Sequence, residues 1–257
     1  MADTIVPVPT PSGVPPELGI GGPRVRWFQE PIGGSGAEVF LVTEPGRPDR
    51  YLKCDPRVAE RRLAAERDRM AWLKGRLPVP EVLGYAVTTA KEWLVSSAIP
   101  GLCACDPHLA MPRRDVVRIM AHELRCIHAL PADGCPFVRR LADKLADDSA
   151  VAATRDAECQ AEWSAFLARS RPPEDLVFVH GDYCEPNIMF EDGRLSGFID
   201  LGYAGISDRY SDFCQAAYTL NRNGDAALIP FFFAEYGLAG FDQAKLEYYQ
   251  TMEMFFG

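Results

Sequence analysis

Residues 179–187 read VHGDYCEPN and residues 199–202 read IDLG, and these two loops decide which fold and chemistry the chain is expected to have. In-line phosphoryl transfer needs a carboxylate that holds the attacking hydroxyl and oxygen ligands for the metal ions that bridge the phosphates. Asp182, Asn187 and Asp200 fit these roles in that order. The alternative is an N-cap Asp, a turn Asn and a hairpin Asp, which are common in loops.

Short apolar runs flank both loops and predict strands. They cover residues 177–179, 188–190 and 195–199. The Asp-x4-Asn spacing keeps Asp182 and Asn187 on one tight loop, and Asp200 closes the last apolar run. We therefore expect the two loops to share one metal ion, and the combination favours the catalytic interpretation.

The same loops resemble those of the aminoglycoside phosphotransferases, small antibiotic-inactivating enzymes with a protein-kinase-like fold. The resemblance extends from about Arg24 to the C-terminus. Its most specific pieces are HGD at 180–182 with Asn187, FIDLG at 198–202 and DRYSD at 208–212. It implies an α+β, bilobal architecture, in which a small N-terminal lobe with an antiparallel sheet and one helix precedes a larger, mostly helical C-terminal lobe.

We expect the N-terminal nucleotide-binding lobe to cover residues 24–97 and the catalytic and acceptor-binding lobe to cover residues 98–257. Residues 1–23 are rich in Pro and Gly and show no hydrophobic period. Such composition is typical of a flexible arm, which we expect here.

Local patterns predict the elements of both lobes. Five strands are expected in the first lobe, at 24–30, 38–43, 50–54, 85–88 and 93–97. Asp55 and Pro56 are suited to the N-cap and first turn of a helix that runs to about Lys74. Further helices are expected at 112–130 and 156–168, and three more between Ile206 and Phe256.

Length and composition bound the class of protein. A chain of 257 residues with 47% hydrophobic content can bury a substantial core, enough for one catalytic unit of two lobes. Its apolar runs are too short to span a bilayer and no signal-peptide core follows Met1, so we expect a soluble, cytoplasmic protein without a membrane partner. The eight cysteines are expected to be reduced, and the Cys103 and Cys105 pair does not predict a zinc site.

Acidic residues concentrate in the last third of the chain. The formal net charge is −9, and residues 174–257 carry 14 Asp or Glu against 4 Lys or Arg. This excess argues against a nucleic-acid partner and for a cationic small molecule, because a cleft of one sign concentrates the other. A solvated acidic surface is the alternative.

A glycine-rich turn at 31–37, which reads PIGGSGA, joins the first two predicted strands. Glycines let backbone N–H groups approach phosphate oxygens, and Ser35 adds a hydroxyl donor. Most such turns bind nothing, but similar loops in the aminoglycoside phosphotransferases cover the nucleotide phosphates. The resemblance therefore favours a phosphate contact at Ser35.

Lys53 is the candidate phosphate-binding lysine of the third strand. Glu66 lies on the apolar stripe of the next helix, between Leu63 and Met70, and an acid on a buried stripe needs a cation. We expect Glu66 to pair with Lys53, as the strand lysine and helix glutamate do in kinases. A surface pair between Arg62 and Glu66 is the alternative, and Glu60 is the competing partner for Lys53.

The resemblance also implies how the nucleotide and its metal are held. Backbone groups of Ser96 and Ala98 contact adenine, and Tyr51 stacks on the base, although a core aromatic is the alternative for Tyr51. ATP or GTP and Mg²⁺ are the implied cofactors.

Acceptor binding in the 3′-type enzymes uses acids that meet ammonium groups, and the resemblance assigns this role to Glu185 and Glu253. Tyr203, where an Arg usually follows Asp-x-Gly, and the terminal aromatic Phe256 are the other implied acceptor contacts. Features shared with streptomycin 3″-enzymes leave the choice between a 3′-hydroxyl and a 3″-hydroxyl open. The competing functions are a metabolite kinase of the same fold and a catalytically silent nucleotide-binding module.

Overall fold

The structure is a computed structural model that describes residues 6–30 and 36–256. Contacts divide it into two compact units. Unit 1 contains the described residues up to Ala110 together with Pro186–Gly202. Unit 2 contains Met111–Glu185 and residues 203–256.

An antiparallel sheet of six strands forms the centre of unit 1, in the order β1-β2-β3-β4-β6-β5. The strands are β1 (Val6–Val8), β2 (Arg26–Gln29), β3 (Glu38–Thr43), β4 (Arg50–Asp55), β5 (Val82–Val87) and β6 (Glu92–Ser97). The five strands predicted from the pattern are confirmed, although β5 begins three residues before the predicted start at Tyr85, and β1 is an addition. In β4, Leu52 and Cys54 are buried on one face while Tyr51 and Lys53 share the other, as the two-residue period requires.

The predicted flexible arm is wrong for the described residues before Arg24. Val6–Val8 pairs with β2, and Pro16–Leu18 forms a 3-10 turn. Leu18 and Ile20 then pack with Leu52 and Cys54 in a buried cluster. The physical reason is that the apolar face of the sheet opposite Lys53 must be covered, and this irregular segment covers it.

One long helix, α1 (Arg62–Leu73), packs on the sheet of unit 1. It begins later than the predicted start at Pro56. The Asp55 carboxylate accepts the Arg57 N–H at 2.9 Å, and Val58–Glu60 is a separate 3-10 turn. Arg61, with φ of 51°, adopts a left-handed conformation that interrupts the helix.

A small second sheet in unit 1 carries one of the predicted loops. It consists of β7 (Leu102–Cys103), β9 (Ile188–Glu191) and β10 (Arg194–Phe198), in the order β10-β9-β7. Gly101, with φ of 100°, lets the chain approach β9, since a Cβ there would lie 1.9 Å from the Phe190 carbonyl oxygen. The strand predictions at 188–190 and 195–199 are confirmed within a residue.

Unit 2 is mostly helical, with one two-stranded ladder between β8 (Leu176–Val179) and β11 (Gly205–Asp208). Its helices are α2 (Arg113–His128), α3 (Leu141–Ala152), α4 (Ala157–Leu167), α5 (Tyr210–Arg222), α6 (Ile229–Tyr236) and α7 (Gln243–Phe256). The predicted helices are confirmed, whereas α3 and β11 were missed. Within the described residues, no helix is both long and apolar enough to cross a membrane.

The boundary between the units differs from the predicted lobes. Residues 98–110 and Pro186–Gly202 group with the N-terminal sheet rather than with the helices. β7 pairs with β9, which joins the two segments to each other over a long sequence separation. The Phe198 N–H donates to the Pro78 carbonyl oxygen at 2.9 Å, which joins them to the chain just before β5. Such pairing has no local signal in the sequence.

Candidate active site

A buried ion pair links a strand to a helix in unit 1. The Lys53 ammonium lies 2.6 Å from Glu66 Oε1, and Glu66 is buried on α1 between the apolar side chains that predicted this pair. The predicted pairing is therefore confirmed, and the competing partner Glu60 is exposed. The same ammonium lies 3.3 Å from Asp200 Oδ1. Lys53 is thus held between a buried and a half-exposed carboxylate.

Electrostatics keeps this lysine charged. Burial alone disfavours the ammonium, but the carboxylates of Glu66 and Asp200 outweigh burial and raise the pKa of Lys53 above its usual value. A permanently protonated amine held at a fixed position is suited to binding phosphate oxygens.

The loop after β10 brings two candidate metal ligands to the same end of one hairpin. Phe198 pairs with Ile188, and the Ile199 N–H donates to the Asn187 carbonyl oxygen at 3.0 Å. Asn187 and Asp200 therefore both lie next to the last pair of the β9–β10 ladder. Asp200 also has a φ of 59°, an unusual conformation for a residue with a Cβ.

This donor set fits Mg²⁺. The ion prefers hard oxygen ligands and takes one or two protein side chains, while phosphate oxygens and waters complete its shell. The half-exposed Asp200 carboxylate and the Asn187 amide oxygen provide such ligands. Among the described residues, no three or more His, Cys, Asp and Glu side chains cluster into a self-contained metal site.

The backbone of the loop that carries Asp182 is held by Asp212, a residue for which the sequence predicted no role. The buried Asp212 carboxylate accepts hydrogen bonds from the His180 and Gly181 N–H groups, both at 2.8 Å. His128 Nε2 lies 3.1 Å from the same carboxylate, and its Nδ1 lies 2.9 Å from the Tyr236 hydroxyl. Asp212 is at the start of α5, so it ties the loop to two helices and was detectable only as an acid inside the DRYSD motif.

His180 also has the structural role that was predicted for it. Its side chain is buried, and the Asp182 N–H donates to His180 Nδ1 at 3.3 Å. Gly181 has a φ of 86°, and a Cβ there would lie 2.4 Å from the Tyr203 carbonyl oxygen. The loop before Asp182 is therefore packed too closely for any other residue at position 181.

Glu185 was predicted to meet an acceptor ammonium, and the structure contradicts this. Its side chain is 0% exposed. It is ion-paired with Arg113 and hydrogen-bonded by the Asn223 amide, while Arg113 also lies 2.7 Å from Asp225. The Arg113 guanidinium therefore pairs with the carboxylate that was expected to bind an acceptor ammonium. The sequence carries no signal that links positions 113 and 185.

The other predicted acceptor contacts in unit 2 stay predictions. Glu253 pairs with Lys144 and accepts from Gln215 at 3.3 Å, so an acceptor would have to share its carboxylate. Tyr203 is 44% exposed, with the Arg139 guanidinium 4.9 Å from its ring centre. The side chain of Phe256 lies outside the described residues.

The predicted nucleotide contacts are placed as follows. Tyr51 lies on the Lys53 face of β4, and its hydroxyl is 3.5 Å from Glu30. Ser96 pairs with Tyr51 in the ladder, whereas the Ala98 N–H donates to the Asp49 carbonyl oxygen at 3.1 Å. A backbone contact from the Ala98 N–H to adenine therefore requires that bond to be exchanged. Ser35 lies outside the described residues.

The sequence is similar to those of known phosphotransferases. Residues 27–249 match the model of the phosphotransferase enzyme family. The chain is 36% identical to an aminoglycoside 3′-phosphotransferase of Niallia circulans, over 88% of this chain and 90% of the relative. It is 37% identical to the streptomycin 3″-kinase of Streptomyces griseus, over 95% and 97%.

A solved structure extends the likeness to three dimensions. A 3″-type aminoglycoside phosphotransferase of Streptomyces rimosus, in complex with ADP and streptomycin, is similar with a TM-score of 0.69 and 27% identity, covering 88% of this chain and 92% of that one. The fold is thus that of a kinase-like phosphotransferase. The chain belongs to the phosphotransferase enzyme family.

Proposed function

We propose that this protein is a Mg²⁺-dependent kinase that transfers the γ-phosphoryl group of ATP to a hydroxyl of an aminoglycoside and so inactivates the antibiotic. The observation that carries the proposal is the Lys53 ammonium, 2.6 Å from Glu66 and 3.3 Å from Asp200. The names of the relatives at 36% and 37% identity support the acceptor class.

The residues of unit 1 bind the nucleotide and its metal ion. Lys53, oriented by the buried Glu66, binds phosphate oxygens and neutralises part of their charge. Asp200 and Asn187 would hold Mg²⁺, which when bound supplies positive charge to the phosphate oxygens. The ADP complex of the Streptomyces rimosus relative supports an adenine nucleotide.

The acceptor half depends on Asp182. Its carboxylate accepts the proton of the acceptor hydroxyl, whose oxygen forms a bond to the γ-phosphorus while the bond to the β,γ-bridging oxygen breaks and ADP leaves. Asp212 holds the backbone of residues 180 and 181 and thereby positions the main chain of the next residue, Asp182. The His180 side chain positions the loop backbone by hydrogen bonding and is not the base.

The cation of the acceptor is proposed to meet carboxylates other than Glu185. Glu253, Tyr203 and Phe256 remain proposed acceptor contacts. Relatives named for either specificity are 36% and 37% identical to this chain, so both the 3′-hydroxyl and the 3″-hydroxyl are candidates. Since the donor is a cellular nucleotide, we propose that the reaction takes place in the cytoplasm.

A panel of kanamycin, neomycin and streptomycin with radiolabelled ATP tests the proposal. We expect label to pass to at least one of them, with GTP as the comparison donor. Asp182→Asn should keep the nucleotide KM and lower turnover by about 10²–10⁴-fold, the usual contribution of a positioned base. Asp192→Asn, an exposed Asp in the β9–β10 turn, is the control and should remain active.

Two results would overturn the proposal. Nucleotide binding without transfer to any aminoglycoside would favour a metabolite kinase or a silent module. Full turnover in Asp182→Asn would remove the mechanism even if transfer occurs.

A further inference from the structure

Two thiols in unit 1 lie in contact on a segment that the proposed reaction does not use. The Cys103 and Cys105 sulfur atoms are 3.5 Å apart, and both side chains are partly exposed. A disulfide needs a sulfur–sulfur distance of about 2.0 Å, so closure requires the two sulfurs to approach by a small movement of neighbouring residues.

The chemistry of the pair favours reaction. The hydrogen bond between the two thiols lowers the pKa of Cys103 to about 7, against the partial burial that opposes it. Near neutral pH, a larger fraction of Cys103 is therefore thiolate than of a cysteine with the ordinary pKa. The thiolate is the reactive form of cysteine.

The backbone around the pair is tied to the strand that follows Asn187. Cys103 is opposite Met189 in the β7–β9 ladder, and the N–H of the buried Ala104 donates to the Ile188 carbonyl oxygen at 2.8 Å. Any movement that brings the sulfurs together acts on Ala104, which lies between them in the chain. It therefore acts on the hydrogen bond to β9.

We propose that Cys103 and Cys105 are a modification site, a dithiol that is reversibly oxidised to an intrachain disulfide by a low-molecular-weight disulfide and that loosens the bond from Ala104 to Ile188 when it closes. The Cys103 thiolate attacks one sulfur of oxidised glutathione, forms a mixed disulfide and releases one glutathione thiolate. Cys105 then loses its proton to water and attacks Cys103 Sγ, which releases the second glutathione. The two protein thiols are oxidised, and one glutathione disulfide is reduced to two thiols.

The sequence provides an internal control for the test. Trypsin releases peptide 92–113, whose only cysteines are Cys103 and Cys105, and peptide 126–139, whose only cysteines are Cys126 and Cys135. The Cys135 thiol is directed to the Phe137 carbonyl oxygen at 3.5 Å. Both peptides therefore report on two cysteines in one folded protein, but only the first pair lies in sulfur–sulfur contact.

The full-length protein is treated with oxidised glutathione, acidified, denatured, alkylated and digested. We expect peptide 92–113 to lose two hydrogens and to resist alkylation, dithiothreitol to reverse this, and peptide 126–139 to be alkylated at both cysteines. In the Cys105→Ser variant, the reaction should stop at the mixed disulfide between Cys103 and glutathione, so peptide 92–113 should carry one glutathione. Full alkylation of peptide 92–113 after oxidation, or equal cyclisation of both peptides, would overturn the assignment.

Hydrogen exchange tests the structural coupling separately. Oxidation should accelerate exchange of the Ala104 amide severalfold relative to the reduced protein, and Cys103→Ser should show no such oxidant effect. Unchanged exchange in a protein whose peptide 92–113 is fully cyclised would contradict the coupling to β9. Both measurements are independent of enzymatic activity, so they do not depend on the function proposed above.

Discussion

Asp200 and Asp192 both have a left-handed backbone conformation, with φ values of 59° and 50°, although they lie beyond opposite ends of strand β10. Only a few non-glycine residues adopt this conformation, and Asp and Asn tolerate it best. A change to Asn at either position therefore alters charge without adding backbone strain. Asp200 contacts Lys53, whereas Asp192 is exposed in the β9–β10 turn.

Asp200→Asn should lower kcat/KM by about 10²–10³-fold, as expected when one group that stabilises transition-state charge is removed. The Mg²⁺ concentration that gives half-maximal rate should rise. Steady-state kinetics over a Mg²⁺ titration measures both effects. Asp192→Asn is the matched control, and an equal loss there would show that the effect follows the loss of any acidic charge next to β10 and not the loss of a ligand at Asp200.

Glu66→Gln should raise the nucleotide KM by about tenfold, equivalent to about 1.4 kcal/mol, because Lys53 loses the buried carboxylate that orients it. The exposed Glu60→Gln, on the 3-10 turn before α1, should leave the nucleotide KM unchanged. Initial rates at varied ATP distinguish the two. Equal behaviour of both variants would argue that the buried pair does not orient the lysine.

Asp212→Asn should lower kcat by about tenfold or more while the nucleotide KM stays constant, because misplacing a reacting group by about 1 Å costs up to 10²-fold. Asp208→Asn is the control, since the Asp208 carboxylate also accepts two backbone N–H bonds, from Asp175 and Tyr210 at 2.8 Å each, away from residues 180 and 181. We expect it to lower stability without a selective loss of kcat. A stability loss with unchanged kcat in Asp212→Asn would reduce its role to folding.

Arg113→Met should destabilise the fold by about 3 kcal/mol, because it leaves the Glu185 carboxylate buried without its cation. The double variant with Glu185→Met should recover most of that free energy of unfolding. Urea denaturation of the two single variants and the double variant measures the coupling. If Glu185→Gln raised the acceptor KM at unchanged stability, Glu185 would return to the acceptor site.

Asp148 provides a pH test. Burial raises its pKa from 3.8 to about 6. Since the folded state binds this proton more tightly than the unfolded state, the contribution to stability is present below pH 4 and is lost as the pH rises to about 6. Asp148→Asn should therefore stabilise the protein at pH 7, by about 1 kcal/mol after allowance for partial exposure. Asp147→Asn, at the exposed neighbouring residue, is the control. Thermal unfolding of both variants between pH 4 and pH 7 measures the effect, and an equal stabilisation in the two variants would contradict the prediction.

Local patterns were sufficient for most elements and for one functional pair. Glu66 on an apolar stripe implied a buried cation partner, and the strand position of Lys53 gave the candidate, which the structure confirms. Helix α2 and the β9–β10 hairpin followed from periodicity because their apolar faces repeat within a few residues. These features depend on spacing along the chain, which a sequence records directly.

The sequence by itself determined which residues are able to perform phosphoryl transfer, because the chemical groups and their spacing at residues 182, 187 and 200 are local. Only the tertiary structure decided which charges remain available. Arg113 neutralises Glu185 across 72 residues, and Asp212 anchors residues 180 and 181 across about thirty. Residues 6–23 became part of the fold for the same physical reason: burial and charge pairing act through space, and the partners carry no shared signal along the chain.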